Sequence, residues 1–137
     1  AAAHAAGDLD LEAELDAQIW FDGMDRTPDQ VDRAMRQLAL DMNQIALANQ
    51  AKQLGRHLPD SYAPAVERLA ELRIPVLVVT GDHDIPYIQA AADYMVDHLP
   101  TARRAVIADA AHLPNMDQPA QFLETIVAFL DQVAAQT

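Results

Sequence analysis

The sequence contains no cysteine. Disulfides, thiolate nucleophiles and cysteine-ligated metals are therefore excluded. Serine is nearly as scarce, with Ser61 the single one. Glycine occurs four times, as Gly7, Gly23, Gly55 and Gly81, and no two of these stand four residues apart. Basic residues are also few. Nine Lys and Arg face 21 Asp and Glu, a formal charge of −12. Such a chain repels phosphate backbones and anionic lipid, which argues against nucleic-acid partners and membrane docking. No apolar run approaches the ~18 residues that a membrane span needs. Residues 1–10 lack a basic n-region and a strong apolar stretch, so they are not read as a signal peptide. A cytoplasmic setting is expected.

What is present is alanine-rich. Ala supplies 27 of the 137 residues, so Leu, Ile, Val, Met and the few aromatics must build the core. The length suits one domain. The first half reads helical. Asp8 can cap a helix that sets Leu11, Leu15 and Ile19 on one face, and Gly23 suits its end. Thr27-Pro28-Asp29-Gln30 predicts a second helix start, with Thr27 as cap and Gln30 reaching back. Val31, Met35, Leu38, Met42 and Ile45 then form an amphipathic stripe that ends near Gly55. The stripe is either helix packing or the Met-rich face of a lid over an apolar pocket.

Pro59, Asp60, Ser61 and Pro64 mark a loop, and a short helix over 64–72 turns Val66, Leu69 and Leu72 inward. The run Ile74-Pro75-Val76-Leu77-Val78-Val79-Thr80 is short and apolar on both faces, as in a strand covered on both sides. A helix over 86–98, a strand over 104–108, a polar loop over 109–119 and a closing helix over 118–134 follow. The helix over 86–98 turns Ile88, Ala91, Ala92 and Met95 inward. The closing helix carries Phe122, Ile126 and Phe129 on one stripe, with Leu123, Val127 and Leu130 beside it. The order β-α-β-α lays the two strands parallel. Two parallel strands are not a stable sheet, so they require neighbours.

In a parallel α/β sheet, chemistry sits in the loops after the carboxyl ends of the strands. The two such loops contain Gly81-Asp82-His83-Asp84-Ile85-Pro86 and Ala111-His112-Leu113-Pro114-Asn115-Met116-Asp117-Gln118-Pro119. One α-β crossover separates Asp84 from His112, a spacing that can set a carboxylate against an imidazole. Together with the strand before Gly81, and with Phe122-Leu123 and Phe129-Leu130, these loops resemble the acid loop, histidine loop and last helix of the α/β-hydrolase superfamily. The clear likeness covers residues 74–131, and an architectural one covers 8–72.

The resemblance implies an α/β fold of which this chain is the C-terminal part: residues 1–58 a helical cap or lid, and 59–137 a β-α-β-α part of the core. It assigns Asp84 as triad acid and His112 as triad base. Asp82 is the competitor, and the Gly-x-x-Asp spacing from Gly81 selects Asp84. Ile85, Leu113 and Trp20 are the expected substrate contacts, Trp20 being otherwise a packing anchor. The family commonly has glycine where Ala111 stands. The nucleophile elbow, Gly-x-Ser-x-Gly, has no counterpart, and Ser61 lies between prolines without a preceding strand. The partner expected is therefore an N-terminal half that carries the elbow, with a small-molecule substrate and no metal or organic cofactor. A homo-oligomer is possible.

The implied activity is hydrolysis of a small ester, lactone or related acyl compound through an acyl-enzyme. The same fold with an aspartate nucleophile would be a haloalkane dehalogenase or epoxide hydrolase. A third reading is a non-catalytic binding or assembly module. Metal ligation by Asp82-His83-Asp84 is a weaker alternative. His83 reads as a solvated neighbour. His4, His57 and His98 read as loop or helix-end residues.

Overall fold

A computed structural model describes residues 7–55 and 64–136. Ser61, Pro59, Asp60, His57 and His4 lie outside the described residues. The chain runs through helix α1 (Leu9–Ala17), a π-helical turn (Gln18–Asp22), helix α2 (Arg33–Ala51) and a 3₁₀ helix (Ala65–Glu71). Strand β1 (Val76–Gly81), helix α3 (Pro86–His98), strand β2 (Ala102–Ile107), a short helix α4 (Pro114–Asp117) and helix α5 (Pro119–Ala134) follow. The fold is mixed α/β with two parallel strands, in register from Val76 opposite Ala102 to Gly81 opposite Ile107.

Helix α3 is the crossover between the strands. Proline at its first position fixes φ where no donor is needed. Val78, Ala92 and Leu99 form the buried cluster between helix and sheet, with Leu69, Val76, Val96 and Ala102 packed around it. Met95, expected inside, is exposed, and Val96 takes the inward place. The expected strand over 104–108 begins earlier, at Ala102.

The N-terminal segment corrects three expectations. Asp8 does cap α1, accepting from the Leu11 N–H at 3.0 Å. However, Leu11, Leu15 and Ile19 are exposed, and the buried face is Ala13, Ala17 and Phe21. Helix α2 starts at Arg33 rather than Pro28. Asp32 accepts from both the Ala34 and Met35 N–H groups at 2.9 Å, two donors against the single Thr27 N–H that Gln30 takes. Of the expected stripe, Val31 and Met35 are half-buried while Leu38, Met42 and Ile45 are exposed, Met42 on the wall of an open cavity, and Arg36 and Leu47 are buried instead. The helices are joined largely by polar contacts. Arg36 binds Glu14 and Asp22, Asn43 donates to Asp16 at 2.9 Å, and Gln44 donates to Asp10 at 2.9 Å.

Two smaller corrections concern the second half. The segment over 64–72 is a 3₁₀ helix, with Val66 and Leu72 exposed and Leu69 alone reaching the core. In α5, Phe122, Ile126 and Phe129 are half-buried while Leu123, Val127 and Leu130 are exposed. No helix among the described residues is long and apolar enough to cross a membrane.

Candidate active site

Parallel pairing does more than build the sheet. It continues past the strand ends and so sets two loops side by side. The Asp82 N–H donates to the Ile107 carbonyl at 3.1 Å, and the His83 N–H to the Ala110 carbonyl at 2.9 Å. The Asp82 carboxylate accepts from the Ala110 N–H at 3.2 Å. Gly81 is required at this junction. A Cβ there would lie 2.0 Å from the Ala110 carbonyl oxygen and 2.4 Å from that of Ala111. Ala110 and Ala111 are themselves fully buried. The loop's positive-φ residue is Asp109, at 59°, so Ala111 does not need the glycine's conformational freedom.

This packing brings Asp84 to His112. The imidazole Nδ1 lies 2.9 Å from Asp84 Oδ2, while Oδ1 accepts the Ile85 N–H at 2.8 Å. The carboxylate is buried and the imidazole is about two-fifths exposed (2% and 39%). A buried carboxylate on Nδ1 favours the Nδ1–H tautomer and leaves Nε2 as the nitrogen for proton transfer. Asp82 does not compete, since it is spent on the loop backbone.

Trp20 approaches His112 from the N-terminal segment. Its ring centroid is 4.8 Å from the imidazole, tilted by 54°, and its carbonyl accepts the His112 N–H at 3.1 Å. A cavity of about 370 Å³ opens against Trp20 and Leu113, and His112 itself is not among its lining residues. Trp20, Leu113, Asn115 and Met116 line it near the histidine, and Ala17, Phe21, Met42 and Asn43 line it from the helices. The volume falls within the range of small-molecule sites. Of the expected substrate contacts, Trp20 and Leu113 meet at this cavity. Ile85 is not among its lining residues and instead serves Asp84 through its N–H.

The three side chains of Asp82-His83-Asp84 do not converge on one point, because Asp84 turns away to His112. His83 Nδ1 is 2.6 Å from Asp25, and its Nε2 is 3.9 Å from Asp82 and 3.5 Å from Asp109. No cluster among the described residues is arranged to hold a metal ion. Burial lowers the His83 pKa, but the Asp25 hydrogen bond and the charges of Asp25 and Asp82 outweigh it and raise the pKa above its ordinary value.

Sequence reasoning missed two charged side chains near the site. Arg26 pairs with Asp117 at 2.5 Å, across 91 residues of sequence. Asp117 was legible as part of the histidine loop, but nothing local pointed to its partner.

No protein-family model matches the chain. The 3-oxoadipate enol-lactonase 1 of Acinetobacter baylyi is 27% identical over 132 residues, which is 96% of this chain and 47% of that protein. A bromoperoxidase from Bacillus anthracis superposes with a TM-score of 0.66 at 20% identity, covering 95% of this chain and 46% of the other. The naproxen esterase of Bacillus subtilis superposes at 0.51 with 25% identity, covering 68% and 34%. The chain carries the C-terminal part of the α/β-hydrolase fold. It spans about half the length (47%) of the curated relative it matches. In this part of the fold, the strand-end loops bring a carboxylate and an imidazole together at one edge of the sheet.

Proposed function

We propose that this chain supplies the acid and the base of an α/β-hydrolase that cleaves a small ester, lactone or related acyl substrate by a Ser-His-Asp mechanism. The observation that carries the reading is the 2.9 Å contact between His112 Nδ1 and the buried Asp84 carboxylate. The likeness to a lactonase and an esterase supports the substrate class. A serine on an elbow outside this chain attacks the acyl carbonyl. His112 Nε2 takes the serine proton and passes it to the leaving alkoxide, giving an acyl-serine and an alcohol. Water then attacks the acyl-serine. His112 takes a proton from the water and returns it to the serine, releasing the acid. Asp84 remains ionised and stabilises the imidazolium that forms twice in the cycle.

Residues 1–58 act in this reading as a lid, and residues 59–137 as core. Trp20 and Met42 on one wall of a cavity whose other wall includes Leu113, the residue after His112, support the lid assignment. The substrate contacts proposed are Trp20 and Leu113 on that wall and Ile85 next to Asp84. The partner is an N-terminal half carrying the elbow, and the setting is cytoplasmic. The reading requires no metal or organic cofactor.

The test is to fuse the chain behind an N-terminal hydrolase segment that bears Gly-x-Ser-x-Gly. Ester hydrolysis is then compared with His112 intact and with His112→Ala. The expected loss in kcat is at least about 10³-fold. Equal activity in the two fusions overturns the assignment.

A further inference from the structure

Arg26 has no part in the proton transfers above, yet it is the most heavily bonded side chain near them. Its guanidinium is nearly buried and donates to four acceptors. These are the carbonyls of Asp22 (2.7 Å), Phe21 (2.9 Å) and Asp109 (2.7 Å), and the carboxylate of Asp117 (2.5 Å). The first two lie on the segment that carries Trp20. The other two lie at the start and towards the end of the histidine loop. Asp117 Oδ2 also accepts the N–H of Ala111, the residue before His112, at 3.1 Å. The N–H of His112 itself is held by the Trp20 carbonyl. Two successive peptide N–H groups at the catalytic histidine are therefore fixed by one assembly centred on Arg26.

This use of arginine is specific. Its planar fork carries five donors, and a lysine ammonium carries three from a single point. The pair is also a costly way to gain stability alone, since apolar residues of similar volume often stabilise a buried site as well or better. The hydrogen bonds of both side chains go to other groups, and the imidazole Nδ1 is held by Asp84. We infer that Arg26 and Asp117 are positioning residues for His112: they clamp the histidine loop to the Trp20 segment so that Nδ1 stays on Asp84. The inference rests on the proposed function only for what Nε2 then does.

The test reads His112 without turnover, so its failure and the failure of the hydrolase reading are distinguishable. The chain is labelled with ¹⁵N-histidine, and the His112 ring signals are assigned by their absence in His112→Gln. Emission of Trp20 is recorded beside them, since it is the single tryptophan and lies against the imidazole. The unsubstituted chain is expected to show one Nδ1–H tautomer. Asp117→Asn keeps an acceptor for the Ala111 N–H and loses the charge that holds Arg26. Arg26→Lys keeps the charge and loses the fork. Each is expected to convert His112 to a mixture of tautomers and to change Trp20 emission, with the helical circular dichroism retained. If both variants fold, melt at lower temperature and keep the single tautomer and the emission, the pair is merely structural and the inference is overturned. Should one variant fail to fold, the other decides.

Discussion

At the scale of single residues, the site depends on close approach as much as on charge. Asp84 and His112 meet because the loops after β1 and β2 pack without side chains between them. Gly81→Ala tests this directly. The added methyl would meet two backbone carbonyls, which cannot swing aside as a flexible side chain can. The histidine loop must shift or the strand end must bend. The expected cost is about 1–3 kcal/mol in denaturant unfolding. The His112–Asp84 contact is expected to loosen with it, visible in the ¹⁵N signals of the ring.

His83 makes a pH-dependent contribution whose sign is fixed. Burial opposes its protonation most and Arg26 a little, but the Asp25 hydrogen bond and the charges of Asp25 and Asp82 together raise its folded pKa above 6.5. The stabilisation is therefore complete below the unfolded value of about 6.5 and is lost as pH rises through the folded value. His83→Gln should lower Tm more at a pH about one unit below 6.5 than at a pH about two units above it. A Tm difference independent of pH would contradict the ion-pair account.

At the scale of elements, what was legible follows from which signals are local. The two strands, the Pro86–His98 crossover helix and the closing helix were readable because β-branched runs, a proline at N1 and apolar periodicity act within a few residues. The acid and histidine loops were legible for the same reason, each following its strand. The orientation of the N-terminal helices was not. Periodicity finds an apolar stripe but not whether anything covers it. Here the inward faces mix Phe21 and Leu47 with small and charged residues, Ala13, Ala17 and Arg36, which hydrophobic patterning passes over. The start of α2 was misplaced because two N–H groups offered to Asp32 outweigh the one offered to Gln30. Arg26 was invisible because its partners are set by the tertiary fold.

Arg36 shows what an inward charge does for two helices. It binds Glu14 on α1 and the almost fully buried Asp22 on the π-turn, each at 2.8 Å. Its pKa is raised first by the Asp22 hydrogen bond and next by that of Glu14, and its own hydrogen bond holds Glu14 below the usual carboxylate range. Arg36→Met would leave the buried Asp22 carboxyl without its ion-pair partner. The expected destabilisation is about 3–5 kcal/mol. The double variant Arg36→Met with Asp22→Leu should regain much of it, because the stranded charge is then gone. Denaturant midpoints of the two variants check this, and equal destabilisation in both would show that lost packing rather than a stranded charge is responsible.

At the scale of the whole molecule, the two strands decide behaviour. Two parallel strands are the full sheet among the described residues, so each strand keeps one edge with no neighbouring strand. Leu123, Val127 and Leu130 on α5 and Leu38, Met42 and Ile45 on α2 are exposed as well. The chain covers less than half of the enol-lactonase (47%) and of the bromoperoxidase (46%). Produced alone, the 137-residue chain is therefore expected to associate. Its charge of −12 opposes this, and the two effects respond oppositely to salt. Repulsion between like-charged copies is screened over a Debye length of about 8 Å at 0.15 M salt and less at higher salt. Apolar burial is not screened. Sedimentation equilibrium should accordingly show masses above 15.0 kDa that grow as salt is raised. Under the proposed function, addition of an N-terminal hydrolase half should bring the mass down to that of a one-to-one pair. A 15.0 kDa monomer at every salt concentration, melting in one sharp transition, would mean that the two strands need no neighbour.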